Sequence, residues 1–176
     1  MLRDHLLGRN FNPDLYKNIV LDDENELLTM YLNNLSGQFI GFQQYNPNSF
    51  SKDENDPSTG RYFTICRKGV IAVWGLETLD KSRSELFVVE GCFKASCLHM
   101  IGMNAIAVLA STPKNMSSWF HILKRKYNLI AIGDNDKAGR SLVDVVGRGV
   151  VSEIDLDEYS ILNLKEFTDE ILHRNW

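Results

Sequence analysis

Two short apolar segments end in acid. LFVVE (86–90) finishes on Glu90, with Gly91 behind it. LIAIGD (129–134) finishes on Asp134, with Asp136 two residues later. Short apolar runs of this kind read as strands buried on both faces. In an open parallel sheet, ligands bind outside the carboxyl ends of the strands, so acids at two such ends can meet along one edge. Carboxylates brought together raise one another's pKa unless a cation neutralises them. Hard oxygen donors suit Mg²⁺ or Mn²⁺, and Mg²⁺ keeps waters or phosphate oxygens in its shell, as phosphoryl chemistry requires. Glu90, Asp134 and Asp136 are therefore candidate metal ligands. Each local feature also has an ordinary role open to it. Asp136 is placed to cap a helix starting at Lys137, Asp134 is a polar strand end, and Gly91 suits a tight turn.

The elements that must position these acids alternate from about residue 84. LFVVEG is followed by CFKASCLHMIG (92–102), whose apolar residues fall at helical spacing and end on Gly102, a C-cap signal. NAIAVLAS (104–111) reads as a second buried strand. Thr112-Pro113 then predicts a helix start, a hydroxyl cap followed by proline, with the helix running to about Tyr127. NLIAIGD (128–134), DKAGRSLVDVVG (136–147), GVVSEIDL (149–156) and 157–175 continue as strand, helix, strand and helix. Strands alternating with helices imply a parallel sheet with right-handed crossovers. Upstream, residues 1–30 read as short helix and loop. QFIGFQQY (38–45) reads as a strand, NPNSFSKDENDPSTG (46–60) as a polar loop, and RYFTICRKGVIAVWGL (61–76) as two short strands around Lys68-Gly69. The expected class is α/β: a parallel sheet flanked by helices, with a small N-terminal α+β subdomain over 1–83 and the main domain over 84–176.

Composition bounds the function. The 176 residues are 44% apolar and carry a net charge of −4, enough for one globular unit with a real core and no disulfide or metal staple. No apolar run reaches the length of a membrane span, and MLRDHLLGRNFNPD meets polar residues too soon for a secretory signal. Three cysteines (Cys66, Cys92, Cys97) form no CxxC pair, which predicts a reducing, cytoplasmic setting. Charge is uneven: −5 over residues 1–60, +6 over 61–140 and −5 over 141–176. The basic middle suggests a polyanion site, while the acidic whole argues against strong autonomous duplex binding. A phosphate loop of the GxxxxGK[ST] type and a GxSxG elbow are both missing, which disfavours a P-loop ATPase and an α/β-hydrolase.

The pattern VVEG…GDNDKAGR resembles the Toprim domain, shared by bacterial-type primases, type IA and II topoisomerases and some nucleases. Glu90-Gly91 matches its first motif, and Asp134-x-Asp136 its second. DND followed by KAGR is particularly similar to primases. GQFIGFQQY and RYFTICRKGVIAVWGLE resemble the primase-core segment upstream, so the likeness covers roughly residues 36–150. It implies a Toprim-like parallel sheet in 84–176 and a primase-core-like subdomain in 1–83. It also implies a primase-like nucleotidyltransferase, a DNA-directed RNA polymerase making short RNA primers on single-stranded DNA from nucleoside triphosphates. Mg²⁺ or Mn²⁺ would be held by the catalytic acids Glu90, Asp134 and Asp136. By the same resemblance Arg61 and Lys68 lie on the template and nucleotide face. A replicative helicase or other replication protein is the expected partner, and the host cytoplasm the location if a bacteriophage encodes the chain. One departure stands out: the first motif usually reads Glu-Gly-x-x-Asp, and here Lys94 takes the acid's place, with Asp155 and Asp157 as candidate substitutes for the missing ligand.

Lys94, Lys137 and Arg140 are further candidate phosphate contacts, the last two beside a helix N-terminus. A solvated surface position is the alternative for each. Trp74, Trp119 and Phe120 are expected in the core, and His99 and His121 are expected to be structural. Two rival functions remain open: a metal-dependent Toprim nuclease with water as nucleophile, and a catalytically reduced Toprim module binding nucleic acid or a replication partner.

Overall fold

The computed structural model describes residues 1–51, 55–109 and 116–176. A short helix α1 (Leu2–Gly8) precedes five strands, β1 (Ile19–Asp22), β2 (Leu27–Asn33), β3 (Phe39–Tyr45), β4 (Tyr62–Cys66) and β5 (Val73–Trp74). Then come β6 (Glu85–Glu90), α2 (Cys92–Met100), β7 (Ala105–Val108), α3 (Ser117–Leu123), β8 (Asn128–Gly133), α4 (Lys137–Val146), β9 (Gly149–Val151) and α5 (Ile161–His173). Among the described residues these nine strands form one sheet in the order β4-β3-β2-β5-β7-β6-β8-β9, with β1 also paired to β2. Pairing is antiparallel through β1–β5 and across β5–β7, and parallel from β7 to β9. The 83/84 division lies in the connection between β5 and β6, and the sheet itself is continuous across it. Among the described residues no helix is long and apolar enough to cross a membrane.

Alternation along the strands builds two cores. Phe87 and Val89 of β6 face one side with Trp74, the apolar face of α2, α1 and α5. Leu86 and Val88 face the other with Trp119 and Phe120 of α3 and Leu142 and Val146 of α4. A strand covered on both faces has no polar side to show, which is why β6, β7 and β8 read as unbroken apolar runs. Trp74, Trp119 and Phe120 are core residues as expected. His99 is buried and fixed: Tyr16 Oη lies 3.0 Å from its Nδ1 and the Ala105 carbonyl 2.9 Å from its Nε2. Burial pulls its pKa down to about 4, so it is neutral at physiological pH. His121 is exposed.

Several sequence expectations need correction. Residues 19–33 are a β-hairpin rather than helix and loop, with Leu28, Met30 and Leu32 of β2 buried and Thr29 and Tyr31 on the other face. The four acids of the DDENE turn mask this period of two in composition. The third helix stops at Leu123 rather than Tyr127, and its expected Thr112-Pro113 start lies outside the described residues. The last helix begins at Ile161, where the Ser160 hydroxyl accepts from the Asn163 N–H. A separate 3-10 turn occupies Leu156–Glu158.

Candidate active site

The parallel strands lie in the order β7-β6-β8-β9. From β6 the chain passes through α2 to β7 on one side, and β8 returns on the other. The crevice between the carboxyl ends of β6 and β8 is thus a topological switch point, where open α/β sheets bind ligands. Glu90 ends β6 and Asp134 directly follows β8. The two meet there: Glu90 Oε2 accepts from the Asp134 N–H at 3.4 Å. Gly91 adopts φ +94°, a left-handed conformation that L side chains rarely take. It turns the chain from β6 into α2, so Glu90 and Lys94, four residues on, line the same cavity.

Lys94 is largely buried, and its ammonium pairs with Asp134 and lies 3.2 Å from Asp155 Oδ1. Burial alone would lower the lysine pKa, but the two carboxylates hold it above its ordinary value. Glu90 is shifted upward, first by burial and then by the charges of Asp134 and Asp136, against the Asp134 N–H and Lys94. An acid whose folded pKa is raised stabilises the fold below its unfolded pKa and loses that contribution as pH rises through the folded value. Glu90→Gln is therefore expected to raise the thermal midpoint at neutral pH. The gain should shrink toward zero as pH falls and the wild-type carboxyl protonates. Thermal melts at pH 4 and pH 7.5 check this, and a less stable Gln variant at pH 7.5 would contradict it.

Asp136 has a local structural role. It is the N-cap of α4, with Oδ1 accepting from the Gly139 N–H at 2.8 Å, a bond that satisfies one of the helix's free amides. Among the described residues no group of three or more His, Cys, Asp or Glu is arranged to hold one metal ion. The donor set still fits a hard divalent cation, because Mg²⁺ commonly takes one or two protein carboxylates and fills its shell with water and phosphate oxygens. Glu90 and Asp134 supply that pair, and Asp136 stands beside it without completing a cage.

The cavity has a volume of about 610 Å³. One wall is acidic, with Glu90, Asp134, Asp155 and Asp157. The lining also carries basic and aromatic side chains, His5, Arg9, Arg61, Tyr45, Tyr62 and Phe93. Arg9 Nε donates to Asp157 Oδ2 at 2.9 Å, and its guanidinium lies over the Phe93 ring at 4.0 Å. His5 Nε2 lies 2.8 Å from Tyr45 Oη. Burial, then the charges of Arg9 and Arg61, lower the pKa of His5. Arg61 Nε donates to the Ser49 carbonyl at 2.9 Å, which orients the guanidinium at the cavity rim.

Of the residues picked from sequence, Glu90, Asp134, Lys94 and Arg61 converge on this cavity. Lys68 does not line it: it is exposed beyond the carboxyl end of β4, while Arg61 precedes the start of that strand. Lys137 and Arg140 are exposed on α4 outside the lining, and Arg140 Nη1 donates to Asn135 Oδ1 at 3.0 Å. Arg9, His5, Tyr45 and Tyr62 were not signalled by sequence. Arg9 meets Asp157 across 148 residues, and no local pattern marks such a pair.

No family model and no curated protein sequence matches the chain. Solved structures do. The primase fragment of the bacteriophage T7 primase-helicase protein matches with a TM-score of 0.66 at 16% identity, over 97% of this chain and 73% of that one. The DnaG catalytic core matches at 0.65 and 18% identity, over 97% and 71%. The DnaG primase catalytic domain bound to single-stranded DNA matches at 0.60 and 20%, over 97% and 57%. The chain thus spans between 57% and 73% of these three structures. Identities this low establish architecture alone, and by that measure the chain has the fold of a DNA-primase catalytic core.

Proposed function

We propose that this chain is a primase-like nucleotidyltransferase that joins ribonucleotides on a single-stranded DNA template. The observation that carries the reading is the placement of Glu90 and Asp134. They stand together at the switch point of a primase-core fold and open on a cavity also lined by basic and aromatic side chains. Mg²⁺ or Mn²⁺ would be held by Glu90 and Asp134, with Asp136 adjacent, and would supply charge neutralisation at a triphosphate and activation of a 3′-hydroxyl. Arg61 lines the same cavity and suits a nucleotide or template phosphate. The partly exposed Tyr62 offers ring surface to a base, and Arg9 is tied to Asp157. Lys94 holds Asp134 in the crevice. Exposed Lys68, Lys137 and Arg140 would meet the template outside the cavity. The reading places the chain in the cytoplasm with template and nucleotides. It agrees with a replication partner such as a helicase, since one matching structure is a fragment of a primase-helicase protein.

The test is incubation of the full chain with a single-stranded oligonucleotide, labelled ribonucleotides and Mg²⁺ or Mn²⁺. Short labelled products that require both template and metal are expected. Shortening of the oligonucleotide without nucleotides would replace this reading with a nuclease. Binding to the oligonucleotide with neither reaction would replace it with a nucleic-acid-binding module.

A further inference from the structure

The crevice already contains a cation. Lys94 rises from the first turn of α2 and its ammonium contacts two carboxylates from different elements: Asp134 after β8, and Asp155 at 3.2 Å after β9. Its side chain is only 15% exposed, whereas Asp155 is 58% exposed. The lysine is thus the inner member of the group and the aspartate reaches in to it. Glu90 meets the Asp134 backbone N–H rather than its carboxylate, and among the described residues the ion pairs of Lys94 are with Asp134 and Asp155.

We propose that Lys94 is the resident cation of this carboxylate cluster, filling the space between Asp134 and Asp155 so that the site takes up one divalent ion and not two. The inference rests on the metal-dependent reading above and deepens it. Paired metal sites place their ions roughly 3.5–4 Å apart and share a carboxylate between them. Here the carboxylate available for sharing is Asp134, and the second acid beyond it is Asp155. Both are engaged by the ammonium, so a second divalent ion would have to displace Lys94 or sit against its charge. Glu90 feels the Lys94 charge, but among the described residues no ion pair engages it. Lys94 thereby acts as a positioning residue: it neutralises Asp134 in part and engages its Oδ1.

Counting bound ions tests this. Mn²⁺ titration of the full chain, with free Mn²⁺ followed by electron paramagnetic resonance, should give one ion per wild-type chain. Lys94→Asp, which removes the ammonium and adds a donor, should give two. The double variant Lys94→Asp/Asp155→Asn should return to one. Lys94→Met vacates the same space without adding a negative charge and should also admit a second, weaker ion, so the test survives if Lys94→Asp fails to fold by circular dichroism. Two ions or none in the wild type would overturn the proposal, and so would a folded Lys94→Met protein that still binds only one. Primer synthesis is scored separately. One ion without primers sinks the functional reading and leaves Lys94 as resident cation. Two ions with primers does the reverse.

Discussion

Asp134→Ala is expected to abolish metal-dependent primer synthesis while the chain stays folded. The carboxylate follows the last residue of β8, beside Glu90 and within reach of Lys94. Its removal takes away one of two acids able to hold a divalent ion, and the contact that keeps the Lys94 ammonium in the crevice. Lewis-acid stabilisation of developing charge supplies several kcal/mol of barrier lowering, so its loss corresponds to a rate decrease on the order of a thousandfold or more. The structural cost is much smaller. Breaking a fully buried ion pair costs ~3–5 kcal/mol, but Asp134 is 35% exposed and Lys94 retains Asp155. Discounted for solvent screening, the loss is on the order of 1 kcal/mol. The Asp134 N–H to Glu90 bond belongs to the backbone and survives the substitution. Primer yield, far-ultraviolet circular dichroism and a thermal melt on the same preparation check both halves. Asp134→Asn keeps the shape and should be equally inactive. Wild-type yield from either folded variant would remove Asp134 from the chemistry.

The acids that this prediction turns on were visible in sequence because of how parallel strands are built. A strand covered on both faces must be apolar along its length, so β6 and β8 stand out, and the first acid after each run marks its carboxyl end. Alternation with helices then places those ends on one edge. The same logic fails upstream. The β1–β2 hairpin buries one face only, and its acidic turn gives a composition close to that of a solvated loop. Arg9 is invisible for a different reason. Its partners Asp157, Tyr62 and Phe93 come from three separate elements, and pairing over such separations is settled by the packing of the whole sheet. Asp136 was legible as a helix cap as well as a motif acid, and its Oδ1 does cap α4. Lys68 lay close to Arg61 in sequence, yet an intervening extended strand separates the two.

Gly139→Ala should be strongly damaging for a single added methyl group, and the reason lies in how α4 is seated. A Cβ built on Gly139 would fall 2.2 Å from both the backbone N and O of Asp134, and one built on Gly133 would fall 2.2 Å from the carbonyl oxygen of Gly139. The first turn of α4 therefore rests backbone against backbone on the end of β8. The obstructing atoms are main chain, which cannot swing aside as a side-chain tip would. An alanine must push the helix away from the strand, and the Asp136 cap on the Gly139 N–H moves with it. Overpacking of this kind against fixed backbone costs about 3 kcal/mol or more. For a chain of this size that corresponds to a fall in Tm of roughly 6–12 °C. Activity should fall further than stability, because the displaced residue is Asp134 itself and small misplacements of a reacting group are costly. Gly8→Ala is the matched control: at the end of α1 its added methyl meets nothing within 4 Å, and the variant should melt within a degree or two of wild type, if anything slightly higher. Should Gly139→Ala melt with the control, the close seating of α4 on β8 would not be what positions Asp134. The glycine of the DNDKAGR stretch would then owe nothing to the geometry of the acids before it.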